Sequence, residues 1–215
     1  MNPKRNPLSF ILKALIAITA TLGILLQCGV FSGKLDFSVL TYFTLMSNIG
    51  TALYFAAAAV FEYRTGNLLL PGLKGALQMC MTVTGVVYHV MLAGKFEMQG
   101  TLALSNMLLH YVVPISVNLS WLLFDEKGIY TWKMAFLWNL APLVYTVFVY
   151  VAVACGAVLG PYGQVYPYYF MDPGQVGGIA ILLLIDAAMG IAFLLMGLVL
   201  VALDRLFFRI KVKHA

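Results

Sequence analysis

The 215-residue chain is 62% apolar, and only 10% of its positions are Asp, Glu, Lys or Arg. Soluble domains carry roughly 25% charged residues, so this chain lacks the charge to cover a water-facing surface. Its net charge of +5 is accounted for by loops beside a membrane, which removes nucleic acid as a partner.

The apolar residues form six blocks separated by short polar segments. Each block approaches the ~20 residues that cross the hydrocarbon core as a helix. The first runs from Leu8 to Val30, after Lys4 and Arg5. It is longer than the ~7–15-residue apolar stretch of a signal peptide, so it reads as an uncleaved helix. The second runs from Ser38 to Phe61 and the third from Gly72 to Gly94. The fourth covers Leu102 to Phe124, the fifth Trp132 to Val158, and the sixth Gly177 to Leu203. The expected fold is all-α: one domain over residues 1–215, with six transmembrane helices.

Of the 13 Lys and Arg residues, all but Lys34 and Lys95 fall on one side when the N-terminus is placed in the cytoplasm. The positive-inside rule therefore predicts that both termini are cytoplasmic. The basic tail from Arg205 to His214 reads as an anchor beside anionic head groups. The segment from Gly160 to Pro173 then lies outside. Its aromatics and prolines suggest a rigid loop resting at the interface, and a lid over a pocket is the sharper reading.

Cys28, Cys80 and Cys155 are odd in number and widely spaced, which indicates neither a disulfide framework nor a metal site. No phosphate loop, dinucleotide fingerprint or ligand cluster occurs, so no cofactor is expected.

Polar residues inside the spans carry the functional question, because each is costly in lipid. Thr41, Thr44 and Asn48 are spaced to share one face of the second helix. Asn106 and His110 share a face of the fourth. At ~1.5 Å of rise per residue, these residues, His89 of the third span and Asp186 of the sixth all fall at one level of the outer half. The cytoplasmic half is expected to be drier, with Asn118 and Asn139 its chief polar groups. Asp186 needs a partner or a proton, and His89 and His110 are its candidates. Each residue also has a structural reading. Thr hydroxyls bond their own helix, and Asn side chains join helices. Ser47-Asn48 and Ser105-Asn106 hint at a parallel duplication.

The fragments Thr41-Tyr42-Phe43-Thr44-Leu45-Met46-Ser47-Asn48, Asn106-Met107-Leu108-Leu109-His110-Tyr111-Val112-Val113-Pro114 and Val165-Tyr166-Pro167-Tyr168-Tyr169-Phe170-Met171-Asp172 resemble the Pr6Pr family of bacterial membrane proteins. That family is distantly similar to the eukaryotic androgen-induced-gene and androgen-dependent tissue-factor-regulating proteins, integral-membrane hydrolases of fatty acid esters of hydroxy fatty acids. The resemblance implies a location in the bacterial cytoplasmic (inner) membrane and a lipid or fatty acid ester substrate. It also implies a Thr nucleophile at Thr44, with Thr41 as its competitor, and a His base at His110. Asp186 is then the candidate orienter of the imidazole, His89 its alternative, and Asn48 or Asn106 the candidate oxyanion donors. A proton-coupled transporter using Asp186, His89 and His110, and a non-catalytic lipid-binding protein, are the competing functions.

Overall fold

The computed structural model describes residues 6–95, 98–160 and 163–213. Six helices in it are long and apolar enough to cross a membrane. They are α1 (Pro7–Gln27), α2 (Phe43–Thr65), α3 (Pro71–Leu92), α4 (Gly100–Phe124), α5 (Trp132–Ala154) and α6 (Ile179–Lys213). No strand occurs among the described residues. The protein is an integral membrane protein of the all-α class, and six crossings return the chain to the side on which it began.

Two ends of the bundle follow from this connectivity. The terminal end holds the start of α1, the α2–α3 and α4–α5 turns and the end of α6. The loop end holds the α1–α2 connection and the long segment between α5 and α6. One core joins α1 to α4 through Ile16, Ala20, Phe55, Ala58, Met81, Val113 and Val117. A second joins α3, α5 and α6 through Met79, Trp138, Phe193 and Val201. Small residues set the closest approaches. A Cβ on Gly23 would stand 2.6 Å from Leu109 Cδ2, and one on Gly75 would stand 2.1 Å from Trp138 Cζ2.

Several boundaries depart from expectation by three residues or more, the start of α2 and the end of α6 the most. α2 starts at Phe43, because Ser38–Thr41 winds as a separate 3₁₀ turn and Tyr42 is extended at φ −74°, ψ 141°. Asp36 caps that turn by accepting from the Ser38 amide at 2.9 Å and its hydroxyl at 2.5 Å. Thr41 therefore does not share a helical face with Thr44 and Asn48. α6 runs to Lys213, so the basic tail is helical where described. Lys211 and Lys213 occupy its last turn, where cations complement the helix dipole.

Both mid-helix prolines leave a local trace. Proline removes one amide and crowds the carbonyl four residues back. For Pro114 that carbonyl belongs to His110, and residues Leu108–Val112 widen into a π-helical turn. For Pro142 it belongs to Trp138, and α5 breaks at Asn139. A second π turn, Tyr88–Leu92, ends α3 at the same level as the first.

The segment from Gly163 to Pro173 is not laid out at the interface. Phe170 and Met171 are buried and pack with Tyr145, Val149 and Leu159, and Phe43 and Val87 lean on the same cluster. The loop end of the bundle is plugged by this segment. Residues Pro161 and Tyr162 of the predicted loop lie outside the described residues. Cys28 and Cys80 are buried and Cys155 is exposed.

Candidate functional site

The first turn of α2 carries Thr44, and the π turn of α4 carries His110. The two side chains meet, with Thr44 Oγ1 3.2 Å from His110 Nε2. The other ring nitrogen, Nδ1, lies 3.1 Å from the backbone carbonyl of Asn106. A carbonyl only accepts, so Nδ1 holds the proton. In the neutral imidazole Nε2 is then an acceptor, and the Thr44 hydroxyl donates to it. A nucleophile and a base are thereby aligned, with a backbone carbonyl fixing the tautomer.

Tyr88, the first residue of the α3 π turn, stacks on the imidazole at 4.0 Å between centroids. Gly85, one turn earlier, permits this, because a Cβ there would stand 3.3 Å from the His110 carbonyl oxygen. The Tyr88 hydroxyl accepts from Asn106 Nδ2 at 2.5 Å. His110 is thus held from two sides, by its own helix and by α3.

The N-terminus of α2 points at the same place. Its cap residue Tyr42 provides no side-chain cap, and the first amides of a helix have no intrahelical partner. The Tyr168 hydroxyl, brought in by the plugging loop, faces the Phe43 and Thr44 amides and the Thr44 hydroxyl. Burial pushes the Tyr168 phenol above its ordinary value, so it stays protonated and keeps a proton to donate.

Two spaces lie near the pair, one of them lined by His110. A cavity of about 160 Å³ lies on the Tyr168 side, with Phe43, Thr84, Leu143, Met189 and Phe193 in its wall. A groove of about 390 Å³ runs between α3 and α4, and His110 lines it with Gly85, Val86, Pro114 and Ile115. The groove lies on the lipid-facing side, where Val86 and Ile115 are exposed.

Several expected partners sit elsewhere. Asp186 bonds neither histidine; it accepts from the Tyr150 hydroxyl at 2.8 Å. His89 Nδ1 lies 3.2 Å from the Tyr111 hydroxyl on an exposed face. His89 thus faces away from Thr44, while Asp186 stands in the wall of the 160 Å³ cavity with Phe43 and Tyr168 but reaches neither histidine. Thr41 donates to the Ser38 carbonyl at 2.7 Å and faces the Leu159 carbonyl at 3.3 Å. Asn48 donates to the Thr44 carbonyl at 2.8 Å and the Leu109 carbonyl at 3.4 Å. Asn48 thus spends both N–H groups on backbone carbonyls, whereas Asn106 gives one of its two N–H groups to Tyr88. Each also has a carbonyl oxygen without a partner among the described residues. Tyr88 and Tyr168 were not singled out as site residues from sequence. The signal for Tyr168 was the aromatic, proline-rich loop, whose lid reading points to it.

The terminal end is not dry. Lys13 pairs with Glu62, and Lys74 with Asp125 at 2.5 Å. Below mid-depth, Gln78 donates to Asn118 at 3.1 Å and accepts from the Tyr130 hydroxyl at 2.9 Å. Sequence reading assigned Lys13 and Lys74 to the cytoplasmic margin; they are 2% and 0% exposed. Their long side chains turn inward because carboxylates on neighbouring segments meet them.

Among the described residues, no group of three or more His, Cys, Asp or Glu side chains could hold a metal ion. No family model, curated protein or solved structure matches the chain.

Proposed function

We propose that the protein is an intramembrane hydrolase of lipid esters, with Thr44 as nucleophile and His110 as base. The observation that carries this reading is the Thr44–His110 contact, together with the Nδ1 contact to the Asn106 carbonyl that leaves Nε2 free to take a proton. A Thr hydroxyl is a weak nucleophile until an adjacent base activates it. Thr44 Oγ1 attacks the ester carbonyl carbon as its proton passes to His110 Nε2. The developing oxyanion meets the Phe43 and Thr44 amides and the Tyr168 hydroxyl, fixed dipoles in a site sheltered from water. Collapse breaks the bond to the alcohol oxygen, which takes the proton from His110. Water then attacks the acyl carbon as its proton passes to His110 Nε2; the bond from that carbon to Thr44 Oγ1 breaks, Oγ1 takes the proton back from His110, and the free acid leaves.

The groove between α3 and α4 supports a substrate that arrives from the bilayer. The cavity behind Tyr168 supports an apolar chain, since a 160 Å³ space is close to the engineered cavity of about 150 Å³ that takes up benzene. Fatty acid esters of hydroxy fatty acids fit this chemistry. The positive-inside bias supports cytoplasmic termini and a site in the outer half.

The test is hydrolysis by the purified, detergent-solubilised protein on a panel of lipid esters, with Thr44→Ala and His110→Ala alongside. Turnover lost in both variants, from protein that remains folded, is the expected result. Turnover that survives both substitutions sinks the assignment.

A second reading rests on a different observation. Polar side chains extend from Thr44 through Gln78, Asn118 and Tyr130 to Lys74, the depth a proton-coupled carrier needs. It predicts pH-gradient-driven uptake into liposomes and no ester turnover.

A further inference from the structure

The two spaces near Thr44 differ in kind. The 390 Å³ groove is open to lipid, because Val86, Ile115, Leu119 and Leu122 along it are exposed. The 160 Å³ cavity is more closed. Val83, Thr84, Tyr145, Phe170 and Phe193 in its wall are buried, and Leu143 is its only exposed wall residue. Polar groups in that wall are engaged. Asn139 donates to the Gly190 carbonyl at 3.3 Å, Thr146 donates to the Pro142 carbonyl at 3.0 Å, and Asp186 accepts from Tyr150. The remaining lining suits a neutral, apolar chain.

The proposed reaction sorts the two halves of an ester between these spaces. Besides Thr44 Oγ1, the tetrahedral carbon carries the oxyanion, the alcohol oxygen and the acyl chain. The oxyanion belongs with the Phe43 and Thr44 amides and the Tyr168 hydroxyl. The alcohol oxygen must reach His110 Nε2, whose proton it takes on leaving. His110 lines the groove and not the cavity, whereas Phe43 and Tyr168 line the cavity and not the groove. The alcohol half therefore runs into the groove. The acyl chain, the substituent that remains, is directed to the cavity.

We propose that the preferred substrate is an ester of a short acyl group with a long-chain alcohol or lipid hydroxyl. This rests on the Thr44–His110 hydrolase reading and narrows its substrate class. A cavity of about 150 Å³ takes up benzene, so acyl groups of up to about six carbons fit the space behind Tyr168. Longer ones overfill it, and overfilling a packed interior is unfavourable. The open groove sets no such limit on the alcohol. Esters of long fatty acids are then the slower members of the class.

The experiment measures kcat/KM for the purified protein in detergent on hexadecyl acetate, butyrate, hexanoate, decanoate and palmitate. One long alcohol throughout keeps every ester in the micelle, at equal mole fraction. The profile is expected to rise to hexanoate, as each methylene adds buried apolar area, and to fall at least about tenfold at decanoate. Octyl, dodecyl and hexadecyl hexanoate should show no such fall. Two variants resize the cavity. Gly190 lines it, and a Cβ there would meet nothing within 4 Å, so Gly190→Leu fills open space. It should lower the hexanoate-to-acetate ratio about tenfold. Met189→Ala enlarges the cavity and should raise the decanoate-to-hexanoate ratio. Misfolding lowers all rates together and leaves both ratios where they were. Turnover that is independent of acyl length, or fastest on palmitate, overturns the inference and leaves the hydrolase standing. Ratios unchanged in both variants overturn the cavity as the acyl site. No turnover on any ester overturns the hydrolase reading, and the inference falls with it.

Discussion

The loop end and the terminal end of this bundle are both polar, but they solve the cost of polarity differently. Around Thr44 and His110 the bonded groups are neutral: a hydroxyl on an imidazole, an amide on a phenol, a phenol over helix amides, with the Asp186 carboxylate held apart on Tyr150. At the terminal end, beyond the neutral Gln78, Asn118 and Tyr130, ions are closed in pairs between neighbouring segments. A neutral hydrogen bond can be broken and remade during a reaction at modest cost. A buried ion pair cannot, because separating it leaves a bare charge in a low dielectric. The neutral contacts suit the proposed chemistry, and the ion pairs hold α1 to α2 and α3 to the α4–α5 turn.

Substitutions should separate the two ends. The largest expected effect is on turnover. Thr44→Ala or His110→Ala lowers ester hydrolysis by at least about ten-thousandfold, since removing one member of a nucleophile–base pair disables the unit. The unfolding midpoint should move little for Thr44→Ala and fall modestly for His110→Ala, which gives up the stacking on Tyr88. Asp125→Ala gives the opposite pattern: stability falls by about 3–5 kcal/mol because Lys74 is stranded. Replacing both partners, with Lys74→Met and Asp125→Leu, should recover most of that loss by thermal unfolding. If Asp125→Ala proves as stable as the parent, the ionic end is not structural and the comparison collapses. Tyr168→Phe removes one donor from the proposed oxyanion site and keeps the ring packing. Turnover should fall about a hundredfold with little change in stability. The smallest effect belongs to Asp186→Asn. Its hydrogen-bond partner is Tyr150, and it lines the proposed acyl cavity without touching Thr44 or His110, so turnover should stay within about fivefold of the parent. A collapse of turnover there would return Asp186 to the role that sequence reading gave it.

The spans were legible because lipid imposes one rule, a run of apolar residues long enough to cross. All six spans were located, with errors at the ends where other forces act. α2 lost its first turn to the Asp36 cap and the extended Tyr42, and α6 gained the basic tail. Depth was legible too: Thr44, Asn48, Asn106 and His110 do gather at one level. Azimuth and reach were not, so Asp186 and His89 were credited with contacts they do not make. The ionic end was hidden for a different reason. Lys13 and Lys74 read as margin charges in a linear pattern, and only the packing of α1 on α2, and of α3 against the α4–α5 turn, reveals that Glu62 and Asp125 draw them in. The Tyr168 contact depends on how a long loop folds back, which spacing along the chain does not encode.

The cysteines make the native chain its own topology marker. Cys28 and Cys80 are shielded, whereas Cys155 is bare just beyond the end of α5, at the loop end. A maleimide too polar to cross a bilayer should therefore modify one thiol per chain in intact cells if that end faces outward. It should modify none until the membrane is opened if that end faces inward. The side on which the Thr44–His110 pair opens is thus readable by mass spectrometry from the unaltered protein.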